Sequence, residues 1–318
     1  MYSIHIEECL VIKLFAEMAN LLKDRDAKLQ GLLYGSQLSK GGIFMKRLIK
    51  CLLSMLIVIS LCATSVSASG PVEIINNNNG TITLKYNNVN HLQTKVIVTK
   101  TTQQSKTYYY DLKNGNNSAK IPLTLGNGTY TIMVCEQISG TKTYSVLSQD
   151  SVTQTLKPTR AAFKPTHIII SWKTTNAFIK KAKTLTKKDK TNYKRIQTIW
   201  KYLVKNYSYD YEKRDQIRSS ATSYVPNISQ VYKAKKGICY DMAALYSSML
   251  RSVGIESKLV MGYTNKVEGY HAWNQVYNSK TKKWITIDVT YDMCLDKYNK
   301  KVSMVKKAKD YHTTSFVY

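Results

Sequence analysis

Cys239, His271 and Asp288 are three residues in the C-terminal half of the sequence that could carry out nucleophilic catalysis together. A thiol at the start of a helix lies in partial positive charge and close to free N–H groups, both of which favour the thiolate. An imidazole can take the thiol proton, and a carboxylate can fix the tautomer of that imidazole and stabilise its charged form. The residue types therefore predict a Cys–His–Asp triad in which Cys239 is the nucleophile.

A helix is predicted to carry the thiol. Residues 237–255 place apolar side chains at helical spacing directly after Cys239. Gly237 would permit a tight turn before this helix, and Gly254 would end it.

Three stretches after the helix alternate between apolar and polar residues and predict strands. They are 256–263, 269–277 and 282–291. Antiparallel pairing of the last two would bring His271 and Asp288 side by side. Each triad residue taken alone also has an ordinary structural explanation, as a core thiol, a hydrogen-bonded core imidazole or a turn-capping carboxylate.

Five short segments of this region carry a combination of motifs in a fixed order. They are Gly237-Ile-Cys239, Leu250–Ile255, Val260-Met-Gly262, His271-Ala-Trp273 and Trp284–Thr290. Together they resemble the transglutaminase-like superfamily of papain-fold cysteine enzymes, and Ile199–Tyr211 is similar to the helix that precedes the catalytic region in bacterial members. The resemblance covers about residues 165–318 and departs from the family at Val289, where many members have proline.

The resemblance implies that Cys239 is the nucleophile, His271 the general base and Asp288 the orienting group. It implies acyl transfer through a thioester, formed when the thiolate attacks a Gln carboxamide or a peptide bond of a protein or peptide substrate. A Lys amine would then give an isopeptide crosslink, whereas water would give deamidation or the cleavage made by a papain-like peptidase or amidase. These outcomes stay open, as does a catalytically silent binding module of the cell envelope. The side-chain donor of an oxyanion hole is not assigned.

The sequence implies no cofactor and no metal site. Acidic residues near the triad lack the spacing of a calcium loop, and the Cys and His residues lack a zinc pattern. Cys294 is predicted to be a buried thiol, because a disulfide to Cys239 would block the nucleophile.

Residues 45–68 have the pattern of a secretory signal peptide. Basic residues precede the apolar stretch 51–62, which is too short for a helix across a bilayer of about 30 Å, and small residues lead to a cleavage site after Ala68. Residues 1–44 are predicted to be a non-native upstream extension of a chain that starts at Met45. The alternative is a retained membrane anchor. The preferred interpretation predicts a secreted, extracellular protein, associated with the cell wall and without a transmembrane anchor after cleavage.

The charge of the chain favours anionic partners. Its 318 residues include 47 Lys plus Arg and 20 Asp plus Glu, a net charge of +27, and 43% hydrophobic residues, which permits a packed core. Six Cys are too few for a disulfide scaffold. Removal of residues 1–68 takes away eight basic and five acidic residues and leaves a charge of +24. Because the lysines are dispersed and no nucleic-acid-binding motif is present, anionic cell-wall polymers or membrane surfaces are the expected nonspecific partners.

The predicted fold class is α+β, with two domains of different character. Residues 69–157 alternate over about seven short stretches separated by Asn- and Gly-rich turns, which predicts an antiparallel β-sandwich of immunoglobulin or fibronectin III type. Tyr130 could be its tyrosine corner, Cys135 a core thiol, and the domain a spacer or a wall-docking module. Residues 158–166 are predicted to be a linker, and residues 167–318 to form the transglutaminase-like papain-fold domain.

Overall fold

The computed structural model describes residues 72–318 except 89–90, 104–105, 113–114 and 221–222. The predicted upstream extension (1–44) and signal peptide (45–68) lie outside the described residues. Within the described part, no helix is long and apolar enough to cross a membrane. Residues 72–137 and 144–318 form one compact unit, and the turn 138–143 belongs to a second one.

Seven strands lie in the described part of the N-terminal region. They are β1 (Glu73–Asn76), β2 (Thr81–Asn88), β3 (Thr94–Lys100), β4 (Thr107–Leu112), β5 (Gly115–Pro122), β6 (Gly128–Gln137) and β7 (Tyr144–Gln154). They pair antiparallel in a three-stranded sheet of order β1-β2-β5 and a four-stranded sheet of order β4-β3-β6-β7. Successive side chains of a strand point to opposite faces, so on β2 Leu84 and Tyr86 are buried while Lys85 is exposed.

Two side chains singled out in this region are buried in its core. The Tyr130 hydroxyl donates to the carbonyl of Gly126 at 2.6 Å, a bond back to the preceding turn. Cys135 is buried near the end of β6, as expected for a core thiol. The immunoglobulin or fibronectin III identity of the region stays a prediction.

The segment predicted to be a linker packs against the rest of the fold. It contains a 3-10 helix, Thr159–Phe163, in which Ala162 and Phe163 are buried. A Cβ on Gly80 would lie 2.4 Å from the Cα of Ala162, so glycine is required at that close approach. Arg160 also pairs with Glu256 at 3.4 Å.

Six helices and six strands follow in the described residues. The helices are α1 (Ala177–Thr186), α2 (Asn192–Asn206), α3 (Tyr211–Ser219), α4 (Ile228–Ala234), α5 (Cys239–Ser252) and α6 (Val289–Lys297). The strands are β8 (Ser208–Tyr209), β9 (Lys236–Gly237), β10 (Ser257–Thr264), β11 (Val267–Asn278), β12 (Lys283–Ile287) and β13 (Thr313–Val317). The last four form an antiparallel sheet of order β12-β11-β10-β13, and β8 pairs parallel to β9.

Helix α5 is the central element of this region. From Asp241 to Arg251 every residue is buried, and the helix packs on α1, α2, β10 and β11. It ends where predicted, because Gly254 adopts a left-handed φ of 84° and lets Ile255 N–H reach the carbonyl of Leu250 at 3.1 Å.

The prediction of a strand over residues 282–291 is wrong for the second half of that range. Strand β12 ends at Ile287, and helix α6 starts at Val289. The reason is that the side chain of Asp288 accepts a hydrogen bond from the backbone N–H of Tyr291 at 2.9 Å and so caps the helix.

Arg251 holds α5 to three other segments. Its guanidinium donates to the carbonyls of Pro165 at 2.7 Å, Ser257 at 2.7 Å and Tyr318 at 3.1 Å. Burial lowers the pKa of Arg251 to about 9. The side chain therefore serves as a buried hydrogen-bond donor to backbone carbonyls.

Arg251→Met is expected to lower the free energy of unfolding by about 3 kcal/mol, because three carbonyls lose their donor. The matched control is Arg218→Met on the exposed face of α3, which should stay within about 0.5 kcal/mol of the wild type. Urea unfolding followed by circular dichroism measures both. Equal stability of the two variants would contradict this role.

Candidate active site

The candidate nucleophile is the first residue of helix α5. The thiol of Cys239 is free and partly exposed. Among the described residues, no backbone acceptor takes the N–H of Cys239. The thiol therefore lies where free N–H groups and the helix dipole favour negative charge.

A buried carboxylate fixes the start of this helix. Asp241 Oδ2 accepts from the backbone N–H of Ile238 at 3.0 Å and from Lys213 Nζ at 2.9 Å. The Tyr224 hydroxyl donates to Oδ1 of the same carboxylate. Because Lys213 lies on α3, these bonds tie the first turn of α5 to a second helix.

Gly237 is required by close packing and not by a turn. Its φ lies outside the left-handed region, so no left-handed turn requires glycine here. A Cβ at this position would lie 2.8 Å from the Cβ of Asp241 and 3.2 Å from Cγ1 of Val231. Glycine thus allows Asp241 to approach the backbone that leads to Cys239.

The candidate base, His271, is buried on β11 opposite Gly262 of β10. Its Nε2 lies 2.8 Å from Oδ2 of Asp288, and its side chain also hydrogen-bonds Cys239. The Trp273 ring stacks beside the imidazole, with centroids 6.4 Å apart and planes 22° apart. The ring therefore lies between the thiol and the carboxylate.

Asp288 is fully buried just after the end of β12. Since β11 and β12 pair Asn274 with Ile287, the predicted pairing does bring the Asp288 carboxylate within reach of His271. Oδ2 also accepts from the Tyr311 hydroxyl at 3.0 Å, while Oδ1 caps helix α6. The structure thus brings all three predicted residues together.

A family comparison identifies the region that contains Cys239 and His271. Residues 179–289 match the model of the transglutaminase-like superfamily. This part of the chain is a transglutaminase-like domain.

The individual proteins and structures that this chain resembles share little sequence identity with it. The uncharacterized protein Rv2569c of Mycobacterium tuberculosis is 26% identical over 108 residues, which cover 30% of this chain and 33% of that protein. The chain thus spans about a third of the length of this relative. A crystal structure described as a candidate cysteine protease from Cytophaga hutchinsonii is 15% identical, with a TM-score of 0.36 and coverage of 75% of this chain and 83% of that chain. Red sea bream transglutaminase is 11% identical, with a TM-score of 0.29 and coverage of 66% and 47%.

Charges in the transglutaminase-like domain favour a protonated imidazole. Burial opposes the charge on His271, but the Asp288 carboxylate and the hydrogen bonds to Asp288 and Cys239 raise the pKa of His271 to about 10. Burial likewise opposes ionisation of Asp288, yet His271, the Tyr291 N–H and the Tyr311 hydroxyl hold its pKa below the ordinary value. At neutral pH, His271 is therefore an imidazolium paired with the Asp288 carboxylate. Its positive charge would stabilise a thiolate on Cys239.

Two supporting residues of the domain were not found from the sequence. Tyr311 lies 23 positions beyond Asp288, and no local pattern marks it. Asp292 is fully buried and accepts from Trp200 Nε1 at 3.0 Å and from Lys306. Its position four residues after Asp288, on the same face of α6, is the signal that could have indicated it.

Cys294 was predicted to be buried, but the residue is only partly buried. It is half-buried at the wall of a cavity of about 300 Å³ between α2, β8 and α6. Burial, followed by the charge of Asp288, raises the pKa of its thiol. Within the described residues, no group of three or more His, Cys, Asp and Glu side chains could hold a metal ion.

The stability of the domain should depend on the titration of His271. Its pKa is raised from 6.5 to about 10, so its contribution is fully present below pH 6.5 and is lost as the pH rises through about 10. Over this window the group lowers the free energy of unfolding by up to about 1.4 kcal/mol per pH unit. Urea unfolding between about pH 6.5 and pH 9 should give a shallower slope for His271→Gln, and equal slopes would contradict the assigned pKa.

Tyr311→Phe removes one donor to a buried carboxylate, and we expect a loss of about 2 kcal/mol in the free energy of unfolding. Tyr291→Phe is the matched control, because Tyr291 reaches Asp288 through its backbone N–H and keeps that bond. Thermal and urea unfolding at neutral pH compare the two. The role of Tyr311 is refuted if both variants lose the same amount.

Proposed function

We propose that this protein is a secreted cysteine acyltransferase or hydrolase that acts on carboxamides of protein or peptide substrates through a thioester on Cys239. The observation that carries the proposal is the position of His271, whose imidazole contacts both Cys239 and the Asp288 carboxylate, the latter at 2.8 Å. A partly exposed thiol backed by a fully buried base and carboxylate lets a substrate approach the sulfur while water is kept from the charged pair.

Each triad residue has one task in the proposed reaction. The Cys239 thiolate attacks the carbonyl carbon of a Gln side chain or a peptide bond. His271 then gives its proton to the leaving ammonia or amine, and Asp288 stabilises the charged imidazole before that transfer. In the second half, His271 takes a proton from an attacking amine or water, and the thiolate leaves. An amine gives a crosslink and water gives deamidation.

The alternative is a papain-like cysteine peptidase or amidase. It would use the same three side chains in the same order, but its acyl donor would be a backbone amide and its acceptor would always be water. Both activities need the thioester, so the proposal of a cysteine enzyme does not depend on this choice.

Export and domain organisation are part of the proposal. The signal-peptide pattern at 45–68 and the charge of +24 beyond it support a secreted protein among anionic cell-wall polymers. For residues 69–157 we propose a β-sandwich of fibronectin III type. The separate three-stranded and four-stranded antiparallel sheets support it, as does the Tyr130 hydroxyl bond to Gly126 at 2.6 Å, the geometry of a tyrosine corner.

The full chain incubated with a Gln-containing peptide, with and without a primary amine, should modify that peptide. Mass spectrometry separates amine incorporation, a mass gain of about 1 Da from deamidation, and backbone cleavage. Cys239→Ala should abolish every product, because it removes the sulfur that attacks the carboxamide. The matched variant Cys135→Ala, a buried thiol of the β-region, should keep the activity of the wild type.

A peptide left unchanged by the wild type, or changed equally by Cys239→Ala, would contradict the proposed enzyme. Ligand binding that survives in Cys239→Ala without any product would favour the silent binding module.

A further inference from the structure

Acyl transfer at Cys239, as proposed above, needs two hydrogen-bond donors for the oxygen that becomes negative. The tetrahedral intermediate places a full charge on the former carbonyl oxygen, and fixed donors aimed at that position stabilise it. The backbone N–H of Cys239 is free in the described residues and can be one of them. A side-chain donor near the thiol can supply the second hydrogen bond.

Of the described side chains, those of His271, Tyr209 and Tyr270 interact electrostatically or by hydrogen bond with Cys239. His271 is engaged by Asp288 and has the separate task of moving the proton. Tyr270 is hydrogen-bonded to the Ser315 side chain. Tyr209 is the remaining donor of the three.

The backbone fixes Tyr209 beside the start of α5. Strand β8 pairs parallel to β9 with Tyr209 opposite Gly237, two residues before Cys239. Bonds on either side of the pair hold this register, from Ser208 N–H to Lys235 at 3.0 Å and from Asp210 N–H to Gly237 at 3.1 Å.

The same pairing sets the direction of the Tyr209 side chain. Paired residues of neighbouring strands project to the same face of the sheet. A Cβ on Gly237 would point at Asp241 in the first turn of α5, so the ring of Tyr209 projects towards that end of the helix. An edge contact with the Tyr211 ring, at 4.9 Å between centroids, holds it from the outside.

The hydroxyl of Tyr209 is available to donate. Among the described residues it has no hydrogen-bond partner, although the ring is only partly exposed. Burial, followed by the charge of Cys239, raises its pKa, so the hydroxyl keeps its proton at every pH at which the enzyme would work. Tyr209 is also one of the residues that line the 300 Å³ cavity next to Cys294.

We propose that the Tyr209 hydroxyl is the second donor of the oxyanion hole, paired with the backbone N–H of Cys239. When the thiolate attacks, a C–S bond forms and the carbonyl π electrons move to the oxygen, which accepts hydrogen bonds from both donors. When the intermediate collapses, the C=O bond forms again, the C–N bond breaks, and the amine leaves with the proton of His271.

The test compares two reactions of Cys239 in the full chain. Alkylation by iodoacetamide displaces iodide and creates no oxyanion, whereas addition to a short peptide aldehyde creates a tetrahedral oxygen. The aldehyde affinity is measured as protection of Cys239 from alkylation, and it requires no turnover. Tyr209→Phe should weaken the affinity for the aldehyde by about tenfold or more and leave the rate of alkylation unchanged. With a substrate that the wild type turns over, the same variant should lower kcat by about 100-fold and keep KM within about twofold.

Two variants make the comparison specific. Tyr298 lines the same cavity and is 66% exposed. The variant Tyr298→Phe should therefore match the wild type in both reactions. Tyr270→Phe tests the rival donor and should also keep the aldehyde affinity. The proposal is overturned if Tyr209→Phe binds the aldehyde as tightly as the wild type, if alkylation falls in parallel, if Tyr270→Phe shows the loss instead, or if the wild type does not bind the aldehyde.

Failure of the proposed function gives a different pattern. A wild type that binds the aldehyde through Tyr209 but leaves every carboxamide unchanged would refute the acyltransferase and support the oxyanion site.

Discussion

A buried carboxylate is stable only where its charge is compensated, and in this protein that requirement fixes the relative positions of several elements. Asp288 is fully buried, and its two oxygens are satisfied by His271 on β11, by the N–H of Tyr291 at the start of α6, and by the Tyr311 hydroxyl close before β13. One side chain thus caps a helix, holds the imidazole of His271 and attaches a distant segment. Removal of His271 would leave the Asp288 charge without its ion-pair partner in the core, and removal of either other donor would take one hydrogen bond from a buried carboxylate.

The position of Cys239, the candidate nucleophile, depends on a similar arrangement at the other end of the site. Asp241, also fully buried, joins the start of α5 to Lys213 and to the N–H of Ile238. Because Gly237 lets the backbone pass against this carboxylate, Cys239 follows at a fixed place, and no backbone acceptor in the described part of the chain takes its N–H. His271 connects the two arrangements, since it contacts both Cys239 and Asp288. The site is therefore held by buried charges on rigid elements, which is the kind of preorganisation that acyl transfer requires.

The structural elements that were predictable from the sequence are those with a local signal. The apolar spacing of 237–255 and the glycine at 254 predict α5, and the observed helix is Cys239–Ser252. Alternation predicts β3 at 94–100, and the observed strand has the same bounds. Alternation over 141–147 also predicts a strand, but the observed strand β7 continues to Gln154, because its largely exposed, polar residues carry no hydrophobic alternation. Tyr209 and Tyr311 could not be found, since strand pairing and tertiary packing bring them to the triad from segments with no motif of their own.

The central claim is that His271 and Asp288 activate Cys239 above the other thiols, and the rates of iodoacetamide alkylation at neutral pH test it most directly. Mass spectrometry of peptides from the full chain gives the separate rates of Cys239, Cys135 and Cys294. Cys239 should react at least about tenfold faster than either of the others, and His271→Ala should remove this advantage. A Cys239 that reacts no faster than Cys135, or that keeps its rate in His271→Ala, would contradict it.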